Sequence, residues 1–259
     1  MSDVLFAFSL TLIAGLATGV GGLVILFTKT TNKKFLSICL SFSAGVMLYI
    51  AFGEIFLEAV ETLEDYHGEV GYLIATLAFF AGIAIMAIID KFVPHGGDTT
   101  DKDNNELKRT GIMSAVAIAV HNFPEGIITF MAAIYDPALG IAIAIAIIIH
   151  NIPEAIAMAS PIYYATGSKA KAILISLGAG LIQPVGALVA WLLLQNMFDG
   201  TEVIFGVSFA LVAGIMVFVA IHQLLPAAQK FGKHHLVMKW LFAGMAVMAA
   251  SIVILEFVL

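Results

Sequence analysis

Apolar residues run through this chain in long blocks separated by short polar segments, and within a block they neither alternate nor keep to one stripe. Eight blocks, at 4–27, 36–57, 70–93, 111–134, 138–162, 171–195, 203–225 and 237–258, are long enough to cross a bilayer. At ~1.5 Å of rise per residue each spans the ~30 Å hydrocarbon core. The pattern predicts an all-α integral membrane protein of eight transmembrane helices. An outer-membrane barrel is disfavoured, because strands of about ten residues alternating apolar and polar are absent. The first block is expected to stay as a helix: no basic segment precedes it, and Lys29, Lys33 and Lys34 follow.

The polar segments say how the helices are joined. Spans four and five are separated only by Tyr135, Asp136 and Pro137, which forces an antiparallel hairpin. Residues 94–110, rich in Asp, Asn, Gly and Thr, are too polar to fold alone and are expected to form a mobile cytoplasmic loop in a single transmembrane domain, 1–259. His95, Asp98, Asp101 and Asp103 in that loop suit a solvated linker better than a metal site. Small residues recur at every fourth position, as at Gly15 and Gly19, Ser176 and Gly180, and Ala210 and Gly214, a spacing that lets helix backbones approach closely in lipid.

Composition agrees: 61% of residues are apolar, 12% charged, and the mean hydropathy is +1.03, which excludes a soluble domain with one core. The charges fix an orientation. All 12 Lys and Arg residues fall in or beside the first, third, fifth and seventh connections, so those face the cytoplasm and both termini are expected outside it. Glu58, Glu61, Glu64, Asp65, Glu69, Asp136, Asp199 and Glu202 then form an outer acidic rim that attracts cations. The single cysteine, Cys39, excludes an intrachain disulfide and any cysteine-based metal cage.

Within this apolar background two polar insertions match. "HNFPEG" at 121–126 sits near the middle of span four, and "HNIPEA" occupies the middle of span five 29 residues later. In each, His and Glu lie four apart and Asn and Glu three apart, so all three share one helix face. Antiparallel helices can aim His121, Asn122, Glu125, His150, Asn151 and Glu154 at one point. An ionised carboxylate at the bilayer centre costs roughly 2.5–3.5 kcal/mol on insertion scales and marks a functional position. A divalent cation neutralises such a pair, and imidazole with carboxylate suits a transition metal better than magnesium. Pro124 and Pro153 free the carbonyls of Val120 and Ile149 and are expected to open each helix locally. The other reading of these residues is a polar network that ties helices together.

These motifs resemble those of the ZIP (Zrt/Irt-like) family of divalent metal transporters, its bacterial zinc-uptake branch above all. The likeness extends to "SAGVMLYIAFGE" in span two, "YYATGSKAKAIL" leading into span six and "LVAGIMVFVAIHQLLP" in span seven. It implies an inverted repeat, spans one to three related to spans six to eight, around the 4–5 hairpin. It also implies a two-metal centre, with zinc held by His121, Glu125, His150 and Glu154 and Met47 as a weaker ligand. The adjoining site uses Asn122, Asn151, the bridging glutamates and a residue of span six. There the chain departs from the pattern, with Gln183 where many relatives have glutamate, and the site loses a negative charge.

Around this centre, Glu54 reads as the entrance residue of a stripe continued by Glu58 and Glu61. His67 is a candidate for gathering metal outside. His222 and Gln223, near the cytoplasmic end of span seven, either receive released metal or cap the interface. Asp90 beside Lys91 reads as a surface ion pair. With no GxxxxGK[ST] loop, the expected function is secondary-type uptake of zinc, with iron(II), manganese, cobalt and cadmium as further substrates, across a bacterial inner membrane. No cofactor is expected, and the partners are divalent metal ions and the lipid bilayer, without nucleic acid; a homodimer is compatible with this. The rival class is a membrane-embedded metalloenzyme such as a di-iron oxidase or metal hydrolase, but neither Glu-x-x-His nor HExxH occurs at the motif.

Overall fold

The computed structural model describes residues 2–27, 33–92, 104–195 and 201–258, with some side chains inside the helices left out. Among these the chain forms eight helical rods. The first is α1 (Ser2–Leu23), ending in a 3-10 turn at Val24–Leu26. The second runs through α2 (Lys33–Ile50), a π-helical segment at Ala51–Ile55 and α3 (Phe56–His67), and α4 (Val70–Phe92) is the third. Rods four and five are α5 (Asn104–Tyr135) and α6 (Pro137–Thr166). Rod six comprises α7 (Lys169–Gly180) and α8 (Ile182–Gln195). Rod seven comprises α9 (Thr201–Phe218), a second π-helical segment at Val219–Leu224 and α10 (Leu225–Phe231), and α11 (His234–Val258) is the eighth.

Seven of the rods are long and apolar enough to cross a membrane; α5, many of whose side chains lie outside the described ones, is not among the seven. Residues 94–103 of the expected loop lie outside the described residues. Residues 104–110, expected in that loop, instead extend α5 by two turns. Once an apolar span has nucleated a helix, polar residues that form helix readily prolong it at little cost.

Local chemistry explains the junctions. Asp136 caps α6, its carboxylate accepting from the Ala138 N–H at 2.8 Å, and Pro137 occupies the first turn, where a missing N–H is harmless. The hairpin is as short as expected. Pro124 and Pro153 do not interrupt α5 and α6, contrary to the expectation of locally opened helices. The break falls at Leu181 of rod six, where Pro184 cannot donate to the Gly180 carbonyl. The π-helical segments have no counterpart in the sequence reading.

The α5–α6 hairpin is the centre. α1 lies against α6 and crosses α7, while α8 lies against α5; α2 packs on α6 and α11, and α9 on α4, α3 and α5. The rods α4 and α11 are peripheral, with only 22% of their apolar windows buried against 67% for the second and seventh rods.

Close glycine contacts repeat across this arrangement. A Cβ on Gly45 would fall 2.0 Å from the Leu241 carbonyl oxygen, and one on Gly214 would fall 2.0 Å from that of Phe79. Reciprocally, Gly82 abuts the Leu211 carbonyl and Gly244 that of Phe42. The numbering shift that takes 45 to 214 takes 42 to 211, and the shift that takes 82 to 244 takes 79 to 241. The same holds at the hairpin, where Gly21 abuts the Ile152 carbonyl and Gly186 that of Phe123. Gly15 and Gly180, also shift partners, abut each other. Rods one, two and three thus make the contacts that rods six, seven and eight make, and the two π-helical segments fall at matching places.

Candidate metal centre

Residues of both motifs point into the hairpin and away from lipid. Asn122, Glu125, His150 and Glu154 are fully buried, and Asn151 is 1% exposed. His150 Nε2 lies 3.0 Å from Glu125 Oε1 across the hairpin. The other carboxylate oxygen, Oε2, accepts from Gln183 Nε2 at 2.9 Å, and the same amide nitrogen is 3.5 Å from Asn122 Oδ1. A carboxylate in so dry a place needs such partners, since its charge has no water to meet. Met47 is wholly buried on α2, whose Ser43 hydroxyl donates to the His150 carbonyl at 3.4 Å, so that rod flanks the motif of α6.

The asparagines anchor neighbouring rods. Asn122 Nδ2 donates to the Ala179 carbonyl at 2.9 Å, and Asn151 Nδ2 to the Ala14 carbonyl at 3.2 Å. Each side chain thereby fixes its own Oδ1, an acceptor, on the opposite edge of the amide. Gly126 lets α8 come close: a Cβ there would sit 1.9 Å from the Gln183 carbonyl oxygen.

Four of the expected ligands are tied together in one connected set, Glu125, His150, Gln183 and Asn122. His121 lies on α5, and its side chain is outside the described ones. Among the described residues no three His, Cys, Asp or Glu side chains come within metal-binding reach of one another. Glu54 sits in the first π-helical segment, partly buried, and exposure increases along its stripe from Glu58 to Glu61. His67 is the last residue of α3, and its ring meets that of Tyr66.

Asp90 corrects the sequence reading. It is 5% exposed rather than a surface residue, accepts from Gln223 Nε2 at 2.8 Å and lies 3.5 Å from His222 Nδ1. His222 in turn stacks on Phe218. Hydropathy could not show this, because a charge at a helix end looks the same whether it meets water or the next helix. Thr18 and Ser43 are both fully buried, although neither belongs to the paired motifs. The signal for Thr18 was the shift between rods one and six, which aligns "AGLAT" at 14–18 with "AGLIQ" at 179–183.

The profile of the family described as "ZIP Zinc transporter" matches residues 94–251, which include both motifs, Gln183 and the second π-helical segment. The chain belongs to the ZIP family. Relatives extend the ZIP likeness to nearly the whole chain. The zinc transporter ZupT of Lysinibacillus sphaericus is 52% identical over 98% of this chain and 98% of its own length. Those of Chlorobaculum parvum and Clostridium perfringens are 49% and 47% identical, again over 98% of this chain. These ZIP relatives are transporters by name, and the rival reading as a metalloenzyme gains nothing from them.

Proposed function

We propose that this chain carries divalent metal ions, zinc first, across the inner membrane of a bacterium and into the cytoplasm. All eight rods span, both termini are extracytoplasmic, and rods one to three and six to eight form an inverted repeat around the α5–α6 hairpin. The reading is supported by the family, by the placement of cationic residues and by one observation above others: Glu125, an acid with no access to water, stands at the centre of the hairpin between His150 and Gln183. Metal gathers at the acidic rim, passes Glu54, and is bound by His121, Glu125, His150 and Glu154, with Met47 beside them. Asn122, Asn151 and Gln183 hold an adjoining ion through oxygen. Helix groups then move against each other to expose the centre inward, as broken and glycine-packed helices near a midplane site permit.

The test is uptake of radioactive zinc into proteoliposomes without ATP, with iron(II), manganese, cobalt and cadmium competing. Saturable zinc flux supports the proposal. Metal-dependent turnover of an organic substrate without flux would sink it.

Gln183 supplies a further prediction. It now gives a hydrogen bond to Glu125, so Gln183→Glu places two carboxylates against each other in a dry pocket, which disfavours charging both. We expect the metal-free variant to melt below wild type, and zinc to raise its melting temperature by more than it raises that of wild type. Equal melting of the two proteins, with and without zinc, counts against a metal at Gln183.

A further inference from the structure

Thr18 is the partner of Gln183 under the shift that relates rods one and six, and it is fully buried. Its hydroxyl oxygen has no hydrogen-bond partner among the described residues. That is unusual in this chain. Thr11, Thr76, Thr129 and Ser176 each donate to the carbonyl four residues back, at 2.7–2.9 Å, and Thr18 does not. The carbonyl four residues back, that of Ala14, already accepts from Asn151 Nδ2 and from the helix itself, so the buried Thr18 hydroxyl is left without its usual local partner.

The contacts around Thr18 match those around Gln183. Asn122 donates to the Ala179 carbonyl, four residues before Gln183, and Asn151 donates to the Ala14 carbonyl, four residues before Thr18. Gly186 abuts the Phe123 carbonyl, three residues after Gln183, and Gly21 abuts that of Ile152, three residues after Thr18. A Cβ on Gly15 would lie 3.5 Å from Gln183 Oε1, and one on Gly180 would lie 3.0 Å from Thr18 Oγ1. Thr18 therefore stands to Asn151 and Glu154 as Gln183 stands to Asn122 and Glu125.

The two sides differ in reach. The glutamine side chain extends far enough to fill its own side with an amide, 2.9 Å from Glu125. Threonine stops at Oγ1, two bonds short of that amide, and supplies no such group. Asn151, which reaches rod one through the Ala14 carbonyl, has an Oδ1 that is also buried and also without a hydrogen-bond partner among the described residues. Two buried oxygens with unused lone pairs, beside a carboxylate, make a place for a cation rather than for a further hydrogen-bond acceptor.

We infer that Thr18 Oγ1, Asn151 Oδ1 and the Glu154 carboxylate form an oxygen-lined subsite for a divalent cation on the first-rod side of the hairpin, one that shares Asn151 with the adjoining site. The inference rests on the hairpin being the metal centre. All its donors are oxygen, so it favours harder ions such as manganese over softer ones such as cadmium, for which the imidazole-bearing part of the centre is better suited.

Full-length protein in proteoliposomes tests this with manganese and cadmium as probes. Thr18→Val keeps the shape and removes the oxygen, and we expect it to weaken half-saturation by manganese about tenfold while cadmium changes less than about twofold. Thr18→Ser, which retains the oxygen, should restore most of the manganese affinity. An unchanged manganese-to-cadmium ratio in Thr18→Val overturns the inference. Should the valine variant fail to fold, Thr18→Cys decides: a sulfur donor should shift preference toward cadmium by a similar factor, and no shift overturns the inference. Glu125→Gln, run beside these, separates the two levels. If it transports normally the hairpin is not the metal centre; if it is inactive while Thr18→Val keeps the wild-type ratio, only the subsite is wrong.

Discussion

Glu125→Gln and Glu154→Gln are expected to fold, to reach the membrane and to lose zinc uptake by about a hundredfold or more. A change in groups that merely orient metal ligands costs roughly 10–100-fold, so loss of a ligand carboxylate belongs at or beyond the upper end. The glutamine at 125 keeps an oxygen to accept from Gln183 and leaves His150 a polar neighbour, so the hydrogen-bonded set survives in outline. It also removes a buried charge, which is costly to hold at this depth. Stability in the absence of metal should therefore hold or rise, while zinc no longer raises the melting temperature. That combination distinguishes a metal centre from a polar network, whose loss would lower stability whether or not zinc is present. Glutamine variants that still take up zinc at the wild-type rate would exclude these carboxylates as ligands.

Gly126→Val is expected to remove most of the properly folded protein. The new Cβ would lie 1.9 Å from the Gln183 carbonyl oxygen and 2.6 Å from its carbon, so the obstacle is backbone, which cannot swing aside like a flexible side chain. Inserting bulk into a packed interior costs roughly 1–3 kcal/mol, and a backbone collision lies at the upper end or above. Relief requires α8 to move off α5, which also draws Gln183 from Glu125. Gly178→Ala is the matched control, because a Cβ there meets nothing within 4 Å. The readout is the monodisperse fraction in detergent and the melting temperature. Gly126→Val melting within a degree or so of Gly178→Ala would mean that the approach of α5 and α8 is not what holds them together.

Much of this architecture was legible in the sequence because lipid imposes simple rules. Apolar length located the helices, the short Tyr135–Pro137 link joined α5 to α6, and the two spaced motifs supplied Glu125, His150 and their asparagines. What escaped notice depended on neighbours distant in sequence. The π-helical segments at Ala51–Ile55 and Val219–Leu224 lie in apolar stretches that read as ordinary helix. The polarity of Asn104 to Thr110 predicts a loop, whereas a helix continues through polar residues when its apolar part is already formed. Asp90 gave no sign that Gln223 and His222 cover it. Thr18 looked like any membrane threonine until the contacts of rod one could be set against those of rod six.

The exchange of contacts between Gly45 and Gly214, and between Gly82 and Gly244, bears on directionality. Two triplets that make the same contacts give their packing no built-in up or down. Asymmetry within the two triplets resides where partners are chemically unlike: Glu54 opposite Gln223, Ser43 opposite Val212, Asp90 opposite Ile252, Thr18 opposite Gln183. In the proposed transport such pairs set how tightly metal is held from each side, while the metal gradient sets the direction of net flux.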